Sequence, residues 1–431
     1  MQSLMLPAPK VKRATVVLPG DKSISHRAFL LAAMASGFTT IVNPNLGQDV
    51  IATIAALRQA GVRVWRTGAG YRVAGCDELR SSAGTIDCAN SGTTMRLLMG
   101  MLAGRMDAVL DGDASLRRRP MARVADPLNL MGARITTGRQ GRPPVRLRRQ
   151  PQRLRPVRYT LRVASAQVKS AILLAALRAT GPSRVVEAAI TRNHTEIMLR
   201  AMGANVMTDG KTIRIEPSRL SSPGRLRIPG DFSSAVYLLC AAAALPGGRL
   251  RLRDVGINPT RSAALDVMRS MGAQLDVVRR RSWAGEPLAD IVIAGGASLH
   301  NVTIPKRAVP ILIDEIPALC ALASVAGGTL IVSGARELKV KESDRIHTTV
   351  DLLCSFGADA QARADGIVVH GRKPLHACAR ISTRGDHRIG LAAVVLAAAT
   401  QAPLQITESE CIATSFPSFR QTWEAAFGRR S

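Results

Sequence analysis

The sequence predicts a two-domain α/β protein built from six repeated units, and three observations lead to this prediction. A glycine that follows an apolar helical segment recurs along the whole chain. A Pro-Gly-Asp motif occurs twice, half the chain apart. Of the 431 residues, 46% are hydrophobic but only 3% are aromatic, which is typical of packed domains with an aliphatic core. A chain of this length has room for two or three such domains.

The recurring glycine marks predicted helix ends at spacings of about 70 residues, with one longer spacing of about 85. In the first five copies an apolar helical stretch precedes the glycine and a short strand-like run follows it, so the glycine predicts a left-handed helix C-cap. The sixth copy is weaker. The glycines are Gly61, Gly132, Gly203, Gly272, Gly357 and Gly428. A near-constant period favours six repeated α/β units.

The two Pro-Gly-Asp motifs divide the chain into domains. Residues 19–23 (PGDKS) are matched by residues 229–233 (PGDFS), and both precede an Ala/Leu-rich helix that the Asp is placed to cap. We therefore expect an upper domain of residues 21–230, with units one to three. The lower domain then comprises residues 1–20 plus 231–431, with units four to six. Helices that are Ala-rich on all sides, such as Ser170–Ala179 and Ser233–Leu245, should be buried at the centre of their domains.

The strong positive charge leaves three classes of partner open. With 59 Lys and Arg against 31 Asp and Glu, the net charge is +28. Nucleic acid, a membrane surface or small polyanions would suit it. The densest basic run, Arg139–Arg162, has one aromatic residue, Tyr159, and alternates apolar with basic residues at 145–148 (VRLR). This pattern indicates a strand with a solvated basic face, because nucleic-acid platforms usually interleave stacking aromatics.

Cysteine usage and hydropathy predict a soluble cytoplasmic protein. The seven cysteines are odd in number, widely scattered and free of C-x-x-C pairs, which favours buried thiols over disulfides or a zinc site. Residues 1–10 lack the layout of a signal peptide. The longest apolar stretches, Ala235–Pro246 and Ile389–Thr400, are too short to span a bilayer.

Five polar segments of the first half place small and basic residues at predicted helix starts. A helix start offers unpaired N–H groups and a partial positive charge that attract anions. For each segment alone, an ordinary capped helix or a solvated loop is the alternative. The segments are 21–27 (DKSISHR), 90–96 (NSGTTMR), 113–120 (DASLRRRP), 164–170 (ASAQVKS) and 191–196 (TRNHTE).

The second half of the chain supplies carboxylates. Asp314 and Glu315 lie between apolar residues, a setting that can raise a carboxyl pKa and suit proton transfer. Residues 337–345 (ELKVKESDR) mix both signs of charge, and residues 386–388 (DHR) begin the last Ala-rich helix. A surface ion-pair face is the alternative for 341–345, and a helix cap without chemistry is the alternative for His387.

Together these segments resemble the EPSP synthase (3-phosphoshikimate 1-carboxyvinyltransferase) family, whose motif order they follow across nearly the whole chain. The forms SAQVKSA and KESDR resemble its class II branch. The resemblance implies a two-domain inverse α/β barrel, or prism, of six βαβαββ repeats, with the active site in the cleft between domains. It also implies enolpyruvyl transfer from phosphoenolpyruvate to the 5-hydroxyl of shikimate 3-phosphate through a tetrahedral intermediate, without a metal or organic cofactor. We expect a monomer with no nucleic-acid or membrane partner.

The resemblance assigns site residues one by one. Shikimate 3-phosphate would contact Lys22, Ser23, Arg27, Ser165, Ala166, Gln167, Thr191, Arg192, Asp314 and Lys341. Phosphoenolpyruvate would contact Lys22, Gly92, Arg119, Gln167, Arg345 and Arg388. Asp314 matches the family's proton acceptor, whereas Glu342 and Lys22 match the groups proposed for proton delivery. Supporting positions are Asp49, Asn90, Arg96, Glu337 and His387. Thr191 and Asn193 depart from the Ser and Asp that the family usually carries.

Two other functions are the alternatives to enolpyruvyl transfer to shikimate 3-phosphate. UDP-N-acetylglucosamine enolpyruvyl transferase is similar in fold but relies on a reactive Cys near the position of Leu116–Arg119, and no Cys lies between Cys88 and Cys240 here. A nucleic-acid-binding module would account for the charge. It would not account for the acidic segments of the second half or for the sixfold repeat.

Overall fold

The computed structural model describes residues 3–10, 13–76, 78–79 and 84–428. Its β-strands are β1 (Ser3–Leu6), β2 (Arg13–Val17), β3 (Ala35–Ser36), β4 (Phe38–Val42), β5 (Val64–Thr67), β6 (Gly70–Ala74), β7 (Thr85–Asp87), β8 (Ala108–Asp111), β9 (Arg134–Thr137), β10 (Val145–Arg148), β11 (Arg158–Thr160), β12 (Ser183–Val186), β13 (Val206–Asp209), β14 (Thr212–Ile215), β15 (Leu220–Ser221), β16 (Arg225–Arg227), β17 (Arg249–Gly256), β18 (Gln274–Trp283), β19 (Glu286–Ala294), β20 (Thr303–Ile304), β21 (Thr329–Val332), β22 (Asp359–Arg363), β23 (Gly366–His370), β24 (Arg380–Ser382) and β25 (Leu404–Thr407). Its α-helices are α1 (Lys22–Met34), α2 (Gln48–Gln59), α3 (Gly92–Leu102), α4 (Ala122–Leu130), α5 (Ala166–Ala176), α6 (His194–Ala201), α7 (Phe232–Ala244), α8 (Ala263–Ser270), α9 (Val309–Leu312), α10 (Ile316–Ala323), α11 (Arg345–Ser355), α12 (His387–Thr400) and α13 (Phe419–Phe427).

The chain folds into two compact units. The upper unit contains the described parts of Gly20–Ile228 together with Ser282–Glu286, and the lower unit contains those of Met1–Pro19, Pro229–Arg281 and Pro287–Ser431. The segment 282–286, at the tip of the β18–β19 hairpin, is the main difference from the boundaries expected from sequence, which give it to the lower domain. Nothing in its local sequence signals membership of the upper unit.

Three four-stranded sheets form the upper unit, in the orders β16-β4-β6-β5, β7-β8-β10-β9 and β11-β12-β14-β13. In each sheet the first two strands pair in parallel and the remaining pairs are antiparallel. The second and third sheets run along the chain as strand, helix, strand, helix, strand, strand. The first sheet takes its parallel edge strand, β16, from the end of the unit. A short parallel pair joins β15 to β3.

The lower unit has a similar arrangement in its described residues, with two four-stranded sheets and one three-stranded sheet. Its sheets have the orders β18-β19-β17-β2, β20-β21-β23-β22 and β1-β25-β24. Strand pairs β2–β17, β20–β21 and β24–β25 are parallel. Two strands from the N-terminus, β1 and β2, complete sheets whose other strands come from the second half of the chain.

Three helices form the centre of each unit: α1, α3 and α5 in the upper unit, and α7, α10 and α12 in the lower one. They are buried along most of their length, as their Ala- and Leu-rich sequences predict. Each unit has its own aliphatic core. Helix α5 begins four residues before the predicted Ser170, because the Ser165 side chain caps it by accepting from the Val168 amide.

The recurring glycine is confirmed as a left-handed C-cap in five of its six copies. Gly61, Gly132, Gly203, Gly272 and Gly357 have φ between 81° and 92°. The prediction is wrong for Gly428, which follows α13 with φ −75° and ψ 174° and is therefore extended. Its amide still donates to the Glu424 carbonyl at 2.8 Å, so the last turn closes without a left-handed residue.

Two further sequence-based expectations meet different outcomes. In β10, Val145 and Leu147 are buried while Arg146 and Arg148 are exposed, which confirms the solvated basic face. The expectation of buried thiols is wrong for Cys354, which lies on an exposed position of α11. Only three of the seven free cysteines are fully buried.

None of the helices in the described ranges is long and apolar enough to cross a membrane.

Candidate active site

In the upper unit, the start of α1 presents Lys22. Asp21 caps the helix and accepts from the Ile24 amide at 2.9 Å, as the sequence predicts. The Lys22 Nζ atom lies 2.8 Å from Asp49 Oδ2 in the first turn of α2, and both side chains are mostly shielded, with 16% and 13% exposed. Asp49 thus fixes the ammonium group at the helix start, where the partial positive charge of the helix adds to its field.

Arg27 joins three helices of the upper unit. Its Nε donates to Thr195 Oγ1 at 2.7 Å on α6, and one Nη donates to Ser170 Oγ at 2.8 Å on α5. The other Nη donates to the Ser23 carbonyl at 2.9 Å. Burial lowers the pKa of the Arg27 guanidinium to about 10, while Glu196 raises it. Arg27 therefore remains a buried cation at neutral pH.

Two guanidinium groups converge on the start of α3. A Cβ atom on Gly92 would lie 2.9 Å from Arg96 Nη1 and 3.3 Å from Arg119 Nη1. Arg96 donates to Gln167 Oε1 at 2.5 Å, and Arg119 donates to Asn90 Oδ1 at 2.5 Å. Because glycine has no side chain, an anion can approach the backbone amides between the two arginines.

The segments 164–170 and 191–196 lie on the same side of the core. Ser165, Ala166 and Gln167 occupy the start of α5, and Gln167 Nε2 donates to Thr93 Oγ1 at 2.8 Å. Thr191 is buried, whereas Arg192 is half-buried and precedes α6. The prediction of a basic residue in the first turn of this helix is wrong, because α6 begins at His194 and carries Glu196 there. The segment 113–120 contains only a single 3-10 turn, Leu116–Arg118.

The tip segment 282–286 packs on this unit through two polar contacts. His194 Nδ1 lies 2.7 Å from Glu286 Oε1, and both side chains are buried. The Arg227 guanidinium lies 4.5 Å from the centre of the Trp283 ring. A hydrogen bond and a cation–π contact therefore attach the tip to the upper unit.

In the lower unit, one arginine holds three carboxylates. Arg345 Nη1 lies 3.1 Å from Asp314 Oδ1, its Nε lies 2.8 Å from Asp386 Oδ2, and its Nη2 donates to Glu342. Arg345 is only 1% exposed. Burial alone lowers the pKa of this guanidinium, but Asp386, Glu342 and Asp314 outweigh burial and raise its pKa well above the ordinary value.

Asp314 lies among cations and beside a buried carboxyl. Arg261 Nη1 is 3.8 Å from its Oδ2, and Lys341 Nζ is 3.9 Å from its Oδ1. The Tyr237 hydroxyl donates to the Asp314 backbone carbonyl at 3.1 Å, which fixes the turn between α9 and α10. The next residue, Glu315, is fully buried. Asp314 thus lies within 4 Å of three cationic side chains, those of Arg261, Lys341 and Arg345.

The start of α12 adds a second arginine. Asp386 caps this helix by accepting from the Arg388 amide at 2.9 Å. The Arg388 guanidinium lies 5.7 Å from the centre of the Tyr237 ring. His387 is buried, with Nδ1 4.0 Å from Asp386 Oδ1. The other supporting candidate, Glu337, is half-buried in the 3-10 turn Arg336–Val340.

The predicted site residues thus form two clusters, one in each unit. The upper cluster contains Lys22, Ser23, Arg27, Asp49, Asn90, Gly92, Arg96, Arg119, Ser165, Ala166, Gln167, Thr191 and Arg192. The lower cluster contains Asp314, Lys341, Glu342, Arg345, His387 and Arg388, with Glu337 nearby in sequence. Within the described ranges, no group of three or more His, Cys, Asp or Glu side chains is arranged to hold a metal ion.

Three further residues contact the lower cluster, and the sequence analysis does not assign them to the site. The sequence identifies Asp386 as a helix cap, but Asp386 also contacts Arg345, which lies 41 residues earlier in the chain. Arg261 lies in a loop without a recognisable motif, and it donates to Ser233 Oγ at 2.6 Å. Tyr237 lies within an Ala-rich core helix and has no local signal of its contact with Asp314.

Comparison with known proteins gives one consistent result. The family model for EPSP synthase (3-phosphoshikimate 1-carboxyvinyltransferase) matches residues 8–423. The chain is 44% identical to the 3-phosphoshikimate 1-carboxyvinyltransferase of Shouchella clausii, over 94% of each protein. It is 45% identical to that of Halorhodospira halophila, over 93% of this chain and 91% of the relative.

Solved structures agree with these sequence matches. The fold is similar to that of EPSP synthase from Acinetobacter baumannii, with a TM-score of 0.86 and 40% identity over 99% of this chain and 98% of that one. The enolpyruvyl transferase NikO from Streptomyces tendae gives a TM-score of 0.77 at 18% identity, over 98% of this chain and 97% of that one, which is a likeness of fold alone.

Proposed function

Because the chain belongs to the EPSP synthase (3-phosphoshikimate 1-carboxyvinyltransferase) family, we propose that the two clusters are its substrate-binding and proton-transfer residues. The protein is a transferase of the shikimate pathway, which leads to chorismate and the aromatic amino acids. It transfers the enolpyruvyl group of phosphoenolpyruvate to the 5-hydroxyl of shikimate 3-phosphate, giving 5-enolpyruvylshikimate 3-phosphate and phosphate. The reaction proceeds by addition and elimination through a tetrahedral intermediate.

Phosphoenolpyruvate carries a phosphate and a carboxylate, and the proposal assigns it to the arginine-rich positions. These positions are Lys22, Gly92, Arg119, Gln167, Arg345 and Arg388. The approach of Arg96 and Arg119 to the open backbone at Gly92 supports the assignment, since guanidinium groups and helix amides both suit phosphate oxygens.

Shikimate 3-phosphate is assigned to the polar starts of α1 and α5 and to the segment before α6. Its contacts are Lys22, Ser23, Arg27, Ser165, Ala166, Gln167, Thr191 and Arg192, with Asp314 and Lys341 from the lower unit. Support comes from the packing of α1, α5 and α6 around Arg27, which brings three of these segments together. Small residues at the two helix starts leave the amides accessible to a phosphate.

Proton transfer is assigned to Asp314, Glu342 and Lys22. In the addition step the 5-hydroxyl oxygen bonds to C2 of phosphoenolpyruvate, and its proton passes to Asp314. The C3 methylene takes a proton from Glu342 or Lys22. In the elimination step the bond from C2 to the phosphate oxygen breaks and the phosphate leaves with that electron pair, while the methyl group returns a proton to Glu342 or Lys22 and the C3–H electron pair re-forms the C2–C3 double bond.

The three-way contact of Arg345 is the observation that carries this proposal. Its guanidinium touches both proposed proton-transfer carboxylates, Asp314 and Glu342. An anionic substrate bound to Arg345 would compete with Glu342 for the same nitrogen and so favour the protonated form of Glu342. Arg345 would thereby couple substrate binding to the protonation of Glu342, and the protonated form is the one that can donate a proton.

We propose further that each sheet with its two helices is one βαβαββ repeat, and that three repeats form the prism-like inverse barrel of each domain. The shared strand order of the five four-stranded sheets supports this, and the sixth sheet, β1-β25-β24, has three strands in the described residues. We also propose that the protein works in the cytoplasm as a monomer without a nucleic-acid partner. Its seven free thiols suit a reducing compartment. Gel filtration and DNA filter retention at about 0.15 M salt would test the last two points.

A phosphate-release assay tests the function directly. Purified protein with phosphoenolpyruvate and shikimate 3-phosphate should release inorganic phosphate, and neither substrate alone should do so. Arg345→Lys keeps the buried positive charge but lacks the guanidinium geometry that contacts three carboxylates, so it should lose most of the release while circular dichroism shows an intact fold. Release that requires only one of the substrates, or none from the pair, would contradict the proposal.

A further inference from the structure

A lysine lies fully buried in the upper unit, four residues after the helix cap Ser165. Lys169 on α5 has no exposed surface. Its Nζ atom lies 2.7 Å from Glu196 Oε1 and 3.1 Å from Glu187 Oε1. It also donates to the Thr191 carbonyl at 3.5 Å. A buried ammonium group is costly unless it is paired, so these carboxylates account for its presence among the Ala and Leu residues of the helix.

The surrounding charges balance. Arg27, Lys169, Glu187 and Glu196 are each at most 4% exposed and together carry two positive and two negative charges. Two hydroxyl groups join Arg27 to α5 and α6, because Ser170 Oγ lies 2.6 Å from Thr195 Oγ1 and both contact Arg27. The cluster therefore ties α1, α5 and α6 together inside the protein.

The contacts of Lys169 are concentrated on one segment, residues 187–196. Glu187 follows β12, Glu196 lies in the first turn of α6, and Thr191 is between them. The Glu187 carboxylate also accepts from the Thr191 amide at 3.0 Å and from the Thr191 hydroxyl. Lys169 thus touches the beginning, the middle and the end of the segment that carries Arg192.

We propose that Lys169 is a positioning residue for shikimate 3-phosphate. It fixes Thr191 and Arg192 relative to the start of α5, where Ser165 and Gln167 lie. This inference rests on the shikimate 3-phosphate contacts proposed above. Lys169 acts through its neighbours, since its ammonium group is enclosed by protein. A binding segment that is ordered before the ligand arrives loses less conformational entropy on binding, so its affinity for the ligand is higher.

The test uses variants that avoid an unpaired buried charge. Lys169→Met/Glu196→Gln removes Lys169 together with the carboxylate nearest to it, and leaves Glu187 with the hydrogen bonds that it accepts from the Thr191 amide and hydroxyl. We expect the Kd of shikimate 3-phosphate, measured by calorimetry, to rise about tenfold, and its KM to rise in parallel. The KM of phosphoenolpyruvate and kcat should change by less than about threefold, because Lys169 contacts none of the residues assigned only to that substrate.

A second variant keeps the proposal testable if the double variant does not fold. Glu187→Gln alone keeps the side-chain shape and leaves Lys169 paired with Glu196, so it should fold and raise the same Kd about threefold to tenfold. The matched control is Arg251→Met/Asp290→Asn in the lower unit, where Arg251 Nη2 lies 2.6 Å from the buried Asp290 Oδ2. The control should lower the melting temperature without changing either KM.

The outcomes separate the two proposals. If both upper-unit variants only lower the melting temperature, and the Kd of shikimate 3-phosphate stays unchanged, Lys169 is structural and the positioning role is overturned. Equal increases in both KM values, shared with the control, would overturn it as well. Failure of the unmodified protein to release phosphate would instead contradict the proposed function.

Discussion

The lower cluster depends on one guanidinium group. Arg345 is surrounded by Asp314, Glu342 and Asp386 and is almost completely buried. Because each carboxylate needs this cation, removal of Arg345 would leave several negative charges close together without compensation. Asp314 differs from its neighbours, since Arg261 and Lys341 also lie within 4 Å of it. A change at Asp314 can therefore be tested without dismantling the cluster.

Asp314→Asn should slow turnover strongly while preserving substrate binding. The amide keeps the shape of the side chain but cannot accept the hydroxyl proton, so we expect kcat to fall by about 10²- to 10⁴-fold. The Kd of shikimate 3-phosphate should change by less than about tenfold. Phosphate-release kinetics and calorimetry measure the two effects. A variant with normal kcat would remove Asp314 from its proposed role.

His26 should make stability depend on pH. Burial lowers the pKa of this histidine well below 6.5, and Lys22 and Arg27 lower it further. Below pH 6.5 the unfolded chain binds a proton at His26 that the folded chain does not, so stability is retained at higher pH and lost as the pH falls. The free energy of unfolding should drop by up to about 1.4 kcal/mol per pH unit below that point.

Urea denaturation at pH 7.5, 6.5 and 5.5 would measure this loss. His26→Gln cannot titrate in this range and serves as the control, so its stability should fall less between pH 6.5 and 5.5. If the variant and the unmodified protein lose stability in parallel, the loss belongs to other groups.

Helices show which parts of the fold can be read from local sequence. The starts of α1, α3, α5 and α12 follow from capping residues that lie within a few positions of the amides they accept from. The start of α6 is different, because Asn193 makes no side-chain cap and Arg192 stays outside the helix. There the tertiary contacts of Glu187 and Glu196 with Lys169 determine the local conformation. Such contacts leave no local pattern.

At Gly100 the backbone of α3 packs directly against the backbone of α5 at Ala171. A Cβ atom there would lie 2.2 Å from the Ala171 carbonyl oxygen, which is far inside van der Waals contact. Gly100→Ala should lower the free energy of unfolding by about 1–2 kcal/mol, although alanine gains up to about 1 kcal/mol in helix propensity.

Urea denaturation would measure the effect of Gly100→Ala. The matched control is Gly68→Ala in an exposed turn, where nothing lies within 4 Å of the new methyl group. A variant at Gly100 as stable as this control would show that the two helices separate at little cost.

In the part of the chain that the structure describes, buried acids accompany buried cations, whereas many other arginines are exposed. The net charge of +28 suggested a polymer partner, but the buried cations are matched by acids, as around Lys169. Much of the excess is exposed, for example Arg146 and Arg148 on β10. Sequence reasoning predicted which cations belong to motifs. It did not predict the pairing of Arg27 with Thr195, since these residues are 168 positions apart.

The exposed charge should increase substrate capture at low salt. Both substrates are anions, so the basic surface raises their local concentration until salt screens it. Raising NaCl from about 50 to 500 mM should increase both KM values about threefold to tenfold and leave kcat nearly constant. Sucrose at equal osmolality is the control and should leave both KM values unchanged. Constant KM values across this range would show that the surface arginines play no part in capture.

The tip segment 282–286 means that neither half of this protein is a separable module. The polypeptide changes unit four times, after residues 19, 228, 281 and 286. A gene fragment for residues 20–228 would omit Trp283 and Glu286, leaving Arg227 and His194 without the partners they have in the intact chain. A single crossover between the genes of two relatives would therefore combine a tip segment from one protein with helix α6 from the other. Exchanges that carry the tip together with 20–228 should be tolerated best.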